Sequence, residues 1–306
     1  MHIPASTYRL QFRDGMTFDT AIDFIPCLKS LGISHLYASP IFTATSGSTH
    51  GYDVTDCNEI DPAIGGREGF ERLSAALKAE RLGLILDIVP NHMAASTENA
   101  WWADVLKFGA DSKYADHFDI DWNQRLTLPI LGKSFDDALA DGEFELQRDP
   151  QTGDWSLAYF ETRLPLNLDS TAPLSGDLKD RSQISSVHDQ QSWQLTFWQD
   201  AAKTLSYRRF FEVTGLVGLR VEDEQVFADS HALVLDLVRA GHVRGLRLDH
   251  MDGLADPSAC LGRLRATVGP EMYIVAEKIV GHGETLPADW PIEGTSLAVP
   301  VDLAAL

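Results

Sequence analysis

The chain has 306 residues, 44% of them apolar, enough for one large core or two smaller ones. Its 45 acidic residues outnumber 25 basic ones, giving a net charge of −20, which argues against nucleic acid or an anionic membrane as the main partner and is compatible with a neutral substrate such as a sugar. Cys27, Cys57 and Cys260 are too few and too scattered for a disulfide framework or a zinc site, so a reducing cytoplasm is expected, and no stretch reads as a signal peptide or a membrane span.

The first 90 residues alternate strand and helix signals. Thr7 to Phe12 reads as a short strand. Thr17 can cap a helix whose apolar positions Phe18, Ile22, Ile25 and Leu28 keep helical spacing, with Pro26 implying a kink. Ser34 to Ser39 reads as a strand and Gly69 to Leu82 as a helix with Phe70, Leu73 and Leu77 on one face. Leu84 to Val89, interrupted by Asp87 alone, has the continuous apolar character of a strand covered on both sides.

From 91 to about 222 the alternation stops, and Trp, Asp and turn residues dominate; this reads as a subdomain inserted after the third strand. Alternation returns over 223–306, with a helix from Glu224 to Ala240, a strand from Val243 to Leu248, a helix from Pro257 to Val268 and a strand from Met272 to Ala276. The expected fold is therefore α/β, of the (β/α)8 barrel type, with about the first five strands present, and the remaining residues can supply at most one more.

Acids stand at the ends of these strands: Asp249 closes Gly245-Leu-Arg-Leu-Asp249, Glu277 closes Tyr273-Ile-Val-Ala-Glu277, and Asp87 leads into Pro90-Asn91-His92. Strand C-terminal ends form the active-site face of such a barrel, and a pair of carboxylates is the minimum for breaking a glycosidic bond. Side chains alternate along a strand, so Arg247 and Asp249 face the same way; the guanidinium is expected to lower the pKa of Asp249, as suits a nucleophile. Glu277 follows apolar residues, and desolvation is expected to raise its pKa, as suits a general acid. The alternative is a structural Arg247–Asp249 ion pair with Glu277 in water. Asp87 reads as a structural anchor. His92 reads as a hydrogen-bond donor to a sugar hydroxyl or as a capping histidine. In Gly47-Ser-Thr-His-Gly-Tyr-Asp53 the glycines let a loop bend near a ligand, Tyr52 offers a face for a pyranose and Asp53 would fix it; a plain turn is the other reading. Trp101-Trp102 and Tyr207-Arg-Arg-Phe-Phe211 read as the small core of the insert before they read as a sugar site. No metal cluster has convincing spacing, and no cofactor is called for.

Together these segments resemble the α-amylase superfamily, glycoside hydrolase family 13: Asp87-Ile-Val-Pro-Asn-His92 is similar to its first motif, Gly245-Leu-Arg-Leu-Asp249 to its second and the Glu277 strand to its third. Tyr8-Arg-Leu-Gln-Phe12, Leu31 to Pro40, Gly47 to Asp53, Gly83 to Met93, Tyr207 to Phe211 and Arg247-Leu-Asp-His250 resemble one branch, the maltooligosyltrehalose synthases. The resemblance implies a maltooligosaccharide substrate whose reducing-end α-1,4 linkage becomes an α,α-1,1 linkage by a retaining double displacement. It implies Asp249 as nucleophile, Glu277 as acid/base, Arg247, His250 and His92 as sugar-contacting positions and Tyr52 as the stacking aromatic; the large insert is, separately, expected to act as a lid that keeps water out. The family's fourth motif, with a third acid, lies beyond the end of this chain, and the likeness stops after Glu293-Gly-Thr295, so a C-terminally truncated copy of weak or no activity is expected. An α-1,4-glucan hydrolase or transglycosylase, and a non-catalytic glucan-binding fragment, stay open as alternatives.

Overall fold

The computed structural model describes residues 3–167, 174, 176–281 and 284–297. The chain divides into two compact units, 1–93 with 219–306, and 94–218.

The first unit is built on six strands, all parallel: β1 (Thr7–Leu10), β2 (His35–Ala38), β3 (Gly83–Ile88), β4 (Gly245–Leu248), β5 (Tyr273–Ile279) and β6 (Gly294–Leu297), in that spatial order. The sixth strand is the one the last segment could still supply; residues 298–306 of that segment lie outside the described residues. Four helices cross between strands: α1 (Phe18–Ser30), α2 (Gly66–Ala79), α3 (Glu224–Arg239) and α4 (Pro257–Val268). The central strands β3 and β4 are buried on both faces, which is why they read as apolar runs. Leu36, Leu84, Leu86, Ile88, Leu246, Leu248, Ile274 and Ala276 are buried. On the other face Tyr37, Asp87 and Arg247 turn polar groups inward, beside Ile85.

Local chemistry sets the helix ends. Thr17 caps α1, its hydroxyl accepting from the Thr20 amide at 3.2 Å, and α1 continues through Pro26 with Phe18, Ala21, Ile25 and Leu28 buried. Ile22, expected on that face, is half-buried. Asp223 caps α3 and Asp256 caps α4, where Pro257 takes the first helical position. Between β2 and α2, Phe42–Ala44 pairs antiparallel with Val54–Ile60 and holds the loop that carries Tyr52. Gly51 in that loop has φ +80°, and a Cβ there would meet Arg13 Nη2 at 2.8 Å and the Pro40 carbonyl at 2.9 Å, so glycine is required.

The second unit has a parallel pair, Leu126–Leu131 with Trp193–Phe197, an antiparallel sheet of Phe144–Arg148, Trp155–Tyr159 and Thr162–Pro165, and a ribbon of Arg209–Phe210 with Val213–Gly218. Its core is aromatic. Trp102, 1% exposed, packs edge-on against Phe118 and Tyr207, at 5.3 and 5.6 Å between ring centres. Trp102 and Tyr207 are thus core residues, while Trp101 stacks on Tyr114 and Phe211 is exposed. Cys27, Cys57 and Cys260 are all unbridged. Among the described residues no helix is long and apolar enough to cross a membrane, and no group of three or more His, Cys, Asp or Glu is arranged to hold a metal ion.

Candidate active site

Strand register brings four ionisable groups together. Arg247 on β4 lies opposite Asp87 on β3 and opposite Val275 on β5. Side chains repeat every second residue, so Asp249 and Glu277, each two residues further along, rise on the same face as Arg247. The guanidinium accordingly serves three acids. Its Nη1 donates to Asp87 Oδ1 at 2.8 Å and to Asp249 Oδ1 at 2.7 Å, and its Nη2 lies 3.0 Å from Glu277 Oε1. Asp87, Arg247 and Asp249 are buried, and Glu277 is half-buried. The carboxyl groups of Asp249 and Glu277 are close enough for a hydrogen bond between them to shift both. The backbone N–H of His250 donates to Glu277 Oε2 at 2.9 Å. His250 has φ +50°, in the left-handed region, which turns the chain sharply after Asp249.

Three acids around one cation cannot all ionise at little cost. Burial pushes the Asp249 carboxyl up to about 8, and the neighbouring Glu277 adds to this against the pull of Arg247. For Glu277, burial would raise the carboxyl, but the Asp249 hydrogen bond, the His250 amide and Arg247 outweigh it and hold it below the usual range. The sequence points to the opposite polarity. The reason for the reversal is that Arg247 is shared with Asp87 and Glu277, while Asp249 is the more buried of the pair. The resting pair therefore shares one proton at neutral pH. Asp87 is likewise raised by burial, against the stabilising pull of Arg247, Tyr52 and Tyr37.

Around Asp87 stand Tyr37, Tyr52 and Arg9, of which the sequence pattern singles out Tyr52. Tyr37 donates its hydroxyl to Asp87 Oδ2 at 2.9 Å and Tyr52 does so at 2.6 Å. Arg9 on β1 donates to the Tyr52 hydroxyl at 3.1 Å and lies 5.5 Å from the centre of the Tyr37 ring. Tyr52 is thus held by Asp87 and Arg9. Asp53, expected to fix it, instead accepts from the hydroxyls of Thr45 and Ser48 and braces the loop itself. His92 is buried, its Nδ1 3.1 Å from Asn91 Nδ2. The signal that could reveal Arg9 and Tyr37 is alternation: both occupy the inner-face position of a short strand.

A family model for the catalytic domain of α-amylase matches residues 17–263. The chain belongs to the α-amylase catalytic-domain family. This α-amylase-family chain is 44% identical over 301 residues to the "Putative maltooligosyl trehalose synthase" of Mycobacterium tuberculosis H37Rv, which covers 95% of the chain and 37% of that relative. The maltooligosyltrehalose synthase structure from Arthrobacter ramosus matches at a TM-score of 0.86 and 41% identity, over 96% of this chain and 37% of that one. The intracellular maltogenic amylase of Bacillus subtilis strain 168 is 34% identical over 115 residues, 38% of this chain and 18% of the relative. This member of the α-amylase family thus spans little more than a third of the length of the trehalose synthases it matches.

Proposed function

We propose that the chain carries the reactive pair of a retaining glycosyl transfer on α-1,4-glucans, directed to the conversion of a reducing-end α-1,4 linkage into an α,α-1,1 linkage. The observation that carries the chemistry is the Asp249–Glu277 pair held on the two nitrogens of one guanidinium. An inverting pair, about 6.5–9.5 Å apart, needs a water between its carboxyls, whereas a retaining pair stands closer, at about 5–5.5 Å. Carboxyls close enough for a hydrogen bond between them have the close arrangement. Support for the trehalose-forming outcome comes from the relatives, named as maltooligosyl trehalose synthases, at 44% and 41% identity over nearly the whole chain.

The proton on the pair suits the reaction. As the glycosidic oxygen enters, the shared proton settles on Glu277. Glu277 then gives it to the leaving oxygen while the Asp249 carboxylate attacks the anomeric carbon, breaking the C–O bond and forming a glycosyl ester. The freed glucose turns; its anomeric hydroxyl loses its proton to Glu277 as its oxygen displaces Asp249. Arg247 stays charged throughout: burial opposes its charge, but Asp87 and the other acids around it raise its pKa further. It faces charge that moves between its neighbours without having to reorganise. Water is the competing nucleophile, and excluding it separates isomerisation from hydrolysis.

An α-maltotriosyl fluoride tests this, because fluoride departs without a proton from Glu277. Mass spectrometry should find a maltotriosyl ester on Asp249, accumulating in Glu277→Gln and absent in Asp249→Asn. A bound sugar that leaves Asp249 unlabelled defeats the proposal. With maltopentaose, a non-reducing product supports the mutase and glucose or maltose supports the hydrolase.

A further inference from the structure

At the end of the sheet opposite the acids lies a cavity of the other sign. It has a volume of about 450 Å³ and is lined by His35, Lys78, Arg81, Leu82, Gly83 and Arg244. His35 and Gly83 begin β2 and β3, Arg244 immediately precedes β4, and Lys78 and Arg81 come from the end of α2 and the turn after it. The cations thus converge from two separate turns in a chain of net charge −20, and no acid lines the cavity. Nearby acids are engaged elsewhere: Glu80 with Lys29, and Glu71 with Arg67. Among the described residues Lys78, Arg81 and Arg244 have no carboxylate partner. Gly83 opens the floor, since a Cβ there would meet the His35 ring at 2.1 Å.

The backbone at Arg81 is the second, independent observation. Helices α1, α2 and α3 end in the same two-bond cap. Ile33 donates to Leu28 and Gly32 to Lys29; Leu82 donates to Leu77 and Arg81 to Lys78; His242 donates to Leu237 and Gly241 to Val238. The left-handed residue of this cap is Gly32 at φ +74°, Arg81 at +60° and Gly241 at +70°. Two of the three equivalent positions use glycine, as its freedom from a Cβ favours, and one holds an arginine beside the cavity. Glycine would fit this backbone with less strain, so Arg81→Gly separates the part of the side chain from that of the fold.

We propose that this cavity binds a small phosphorylated molecule, a phosphomonoester or diphosphate, through Lys78, Arg81 and Arg244. Three cations suit a dianion with several oxygens, and guanidinium groups grip phosphate through paired N–H bonds. The volume falls within the ordinary range of small-molecule pockets, about 300–1,000 Å³. The chain's overall negative charge disfavours an extended polyanion.

The test uses the 306-residue chain with inorganic diphosphate and glucose 6-phosphate, by calorimetry and thermal unfolding, against sodium chloride at matched ionic strength. Both phosphates should raise the unfolding temperature above the salt control; tighter binding of the sugar phosphate identifies an organic ester, and equal binding identifies the bare phosphate group as the ligand. Arg244→Ala should weaken binding at least tenfold. Arg81→Gly should raise the unfolding temperature of the unliganded chain and at the same time weaken phosphate binding at least tenfold. Arg81→Gly that binds phosphate as tightly as the parent, or phosphates that stabilise no more than matched salt, would overturn the proposal.

Discussion

Asp249 and Glu277 hang from the two prongs of one guanidinium, at 2.7 Å from Arg247 Nη1 and 3.0 Å from Arg247 Nη2. The relationship ties the orientation of both acids to a third side chain, itself anchored on Asp87 at 2.8 Å. The two carboxyls are therefore positioned as a unit rather than one by one.

Arg247→Ala should destabilise the fold by about 3–5 kcal/mol, the cost of breaking a buried charge cluster, with the loss growing as pH rises and the three acids must ionise. Arg247→Lys should recover part of this stability and little of the rate, because one ammonium cannot reproduce the fork; the glycosyl-ester step should slow by about 10²–10³-fold. Urea unfolding at several pH values and the fluoride labelling rate measure the two effects. Equal label rates in the parent and Arg247→Lys would refute the positioning role.

The raised pKa of Asp249 has a definite sign in stability. The folded state holds this proton up to about 8, the unfolded state only to about 4. Between those values the folded chain binds more protons, so stability falls as pH rises through the window and the contribution is fully present below it. Asp249→Asn removes this term. The variant should gain on the parent with rising pH across the window, by at most about 1.4 kcal/mol per pH unit, and run parallel to it below pH 4. A gap between the two chains that stays constant with pH would show that the proton sits elsewhere.

Arg9 and the Tyr52 hydroxyl should act together. Tyr52→Phe removes hydrogen bonds of 2.6 and 3.1 Å while keeping the ring, and should cost about 1–3 kcal/mol because Asp87 is buried and loses a donor. Arg9→Ala alone should cost less. In the double variant the two effects should fall short of additivity by about 0.5 kcal/mol or more. Full additivity in urea unfolding would mean that Arg9 does not hold Tyr52.

Gly253 is a steric control on the same site. A Cβ there would meet the His250 ring at 2.4 Å and Asn91 Oδ1 at 2.6 Å. Gly253→Ala should cost about 1–3 kcal/mol as these groups are pushed aside. Because the His250 amide holds Glu277, the pKa of the Asp249–Glu277 pair should shift as well, visible in the pH dependence of labelling. An unshifted profile would separate the turn from the pair.

Much of the barrel is legible in the sequence because its central strands are buried on both faces. Leu84 to Val89 and Gly245 to Leu248 leave few alternatives for a run so apolar, and each has an acid near or just past its end, Asp87 and Asp249, that points toward chemistry. The acid pair is legible for the same reason. The sharing of Arg247 is not, since it depends on the register that sets Arg247 opposite Asp87, a relationship between residues 160 positions apart. With that sharing goes the location of the proton. Arg9 and Tyr37 escape notice because β1 and β2 are four residues each, too short for alternation to stand out. The strands of the 94–218 unit are short and pair in both orientations, so no single period marks them.

The span between Asp87 and Arg247 also sets a timetable. A nascent chain releases β3, with its inward acid, long before β4 arrives with the guanidinium that neutralises it. Long-range pairing of this kind is slow. An early sheet of β1, β2 and β3 would have to enclose that acid with no counterion nearby, so docking should wait for β4. In pulsed hydrogen exchange during refolding, the amides of β3 and β4 should gain protection together, with the proximal hairpin of Phe42–Ala44 and Val54–Ile60 free to close ahead of them.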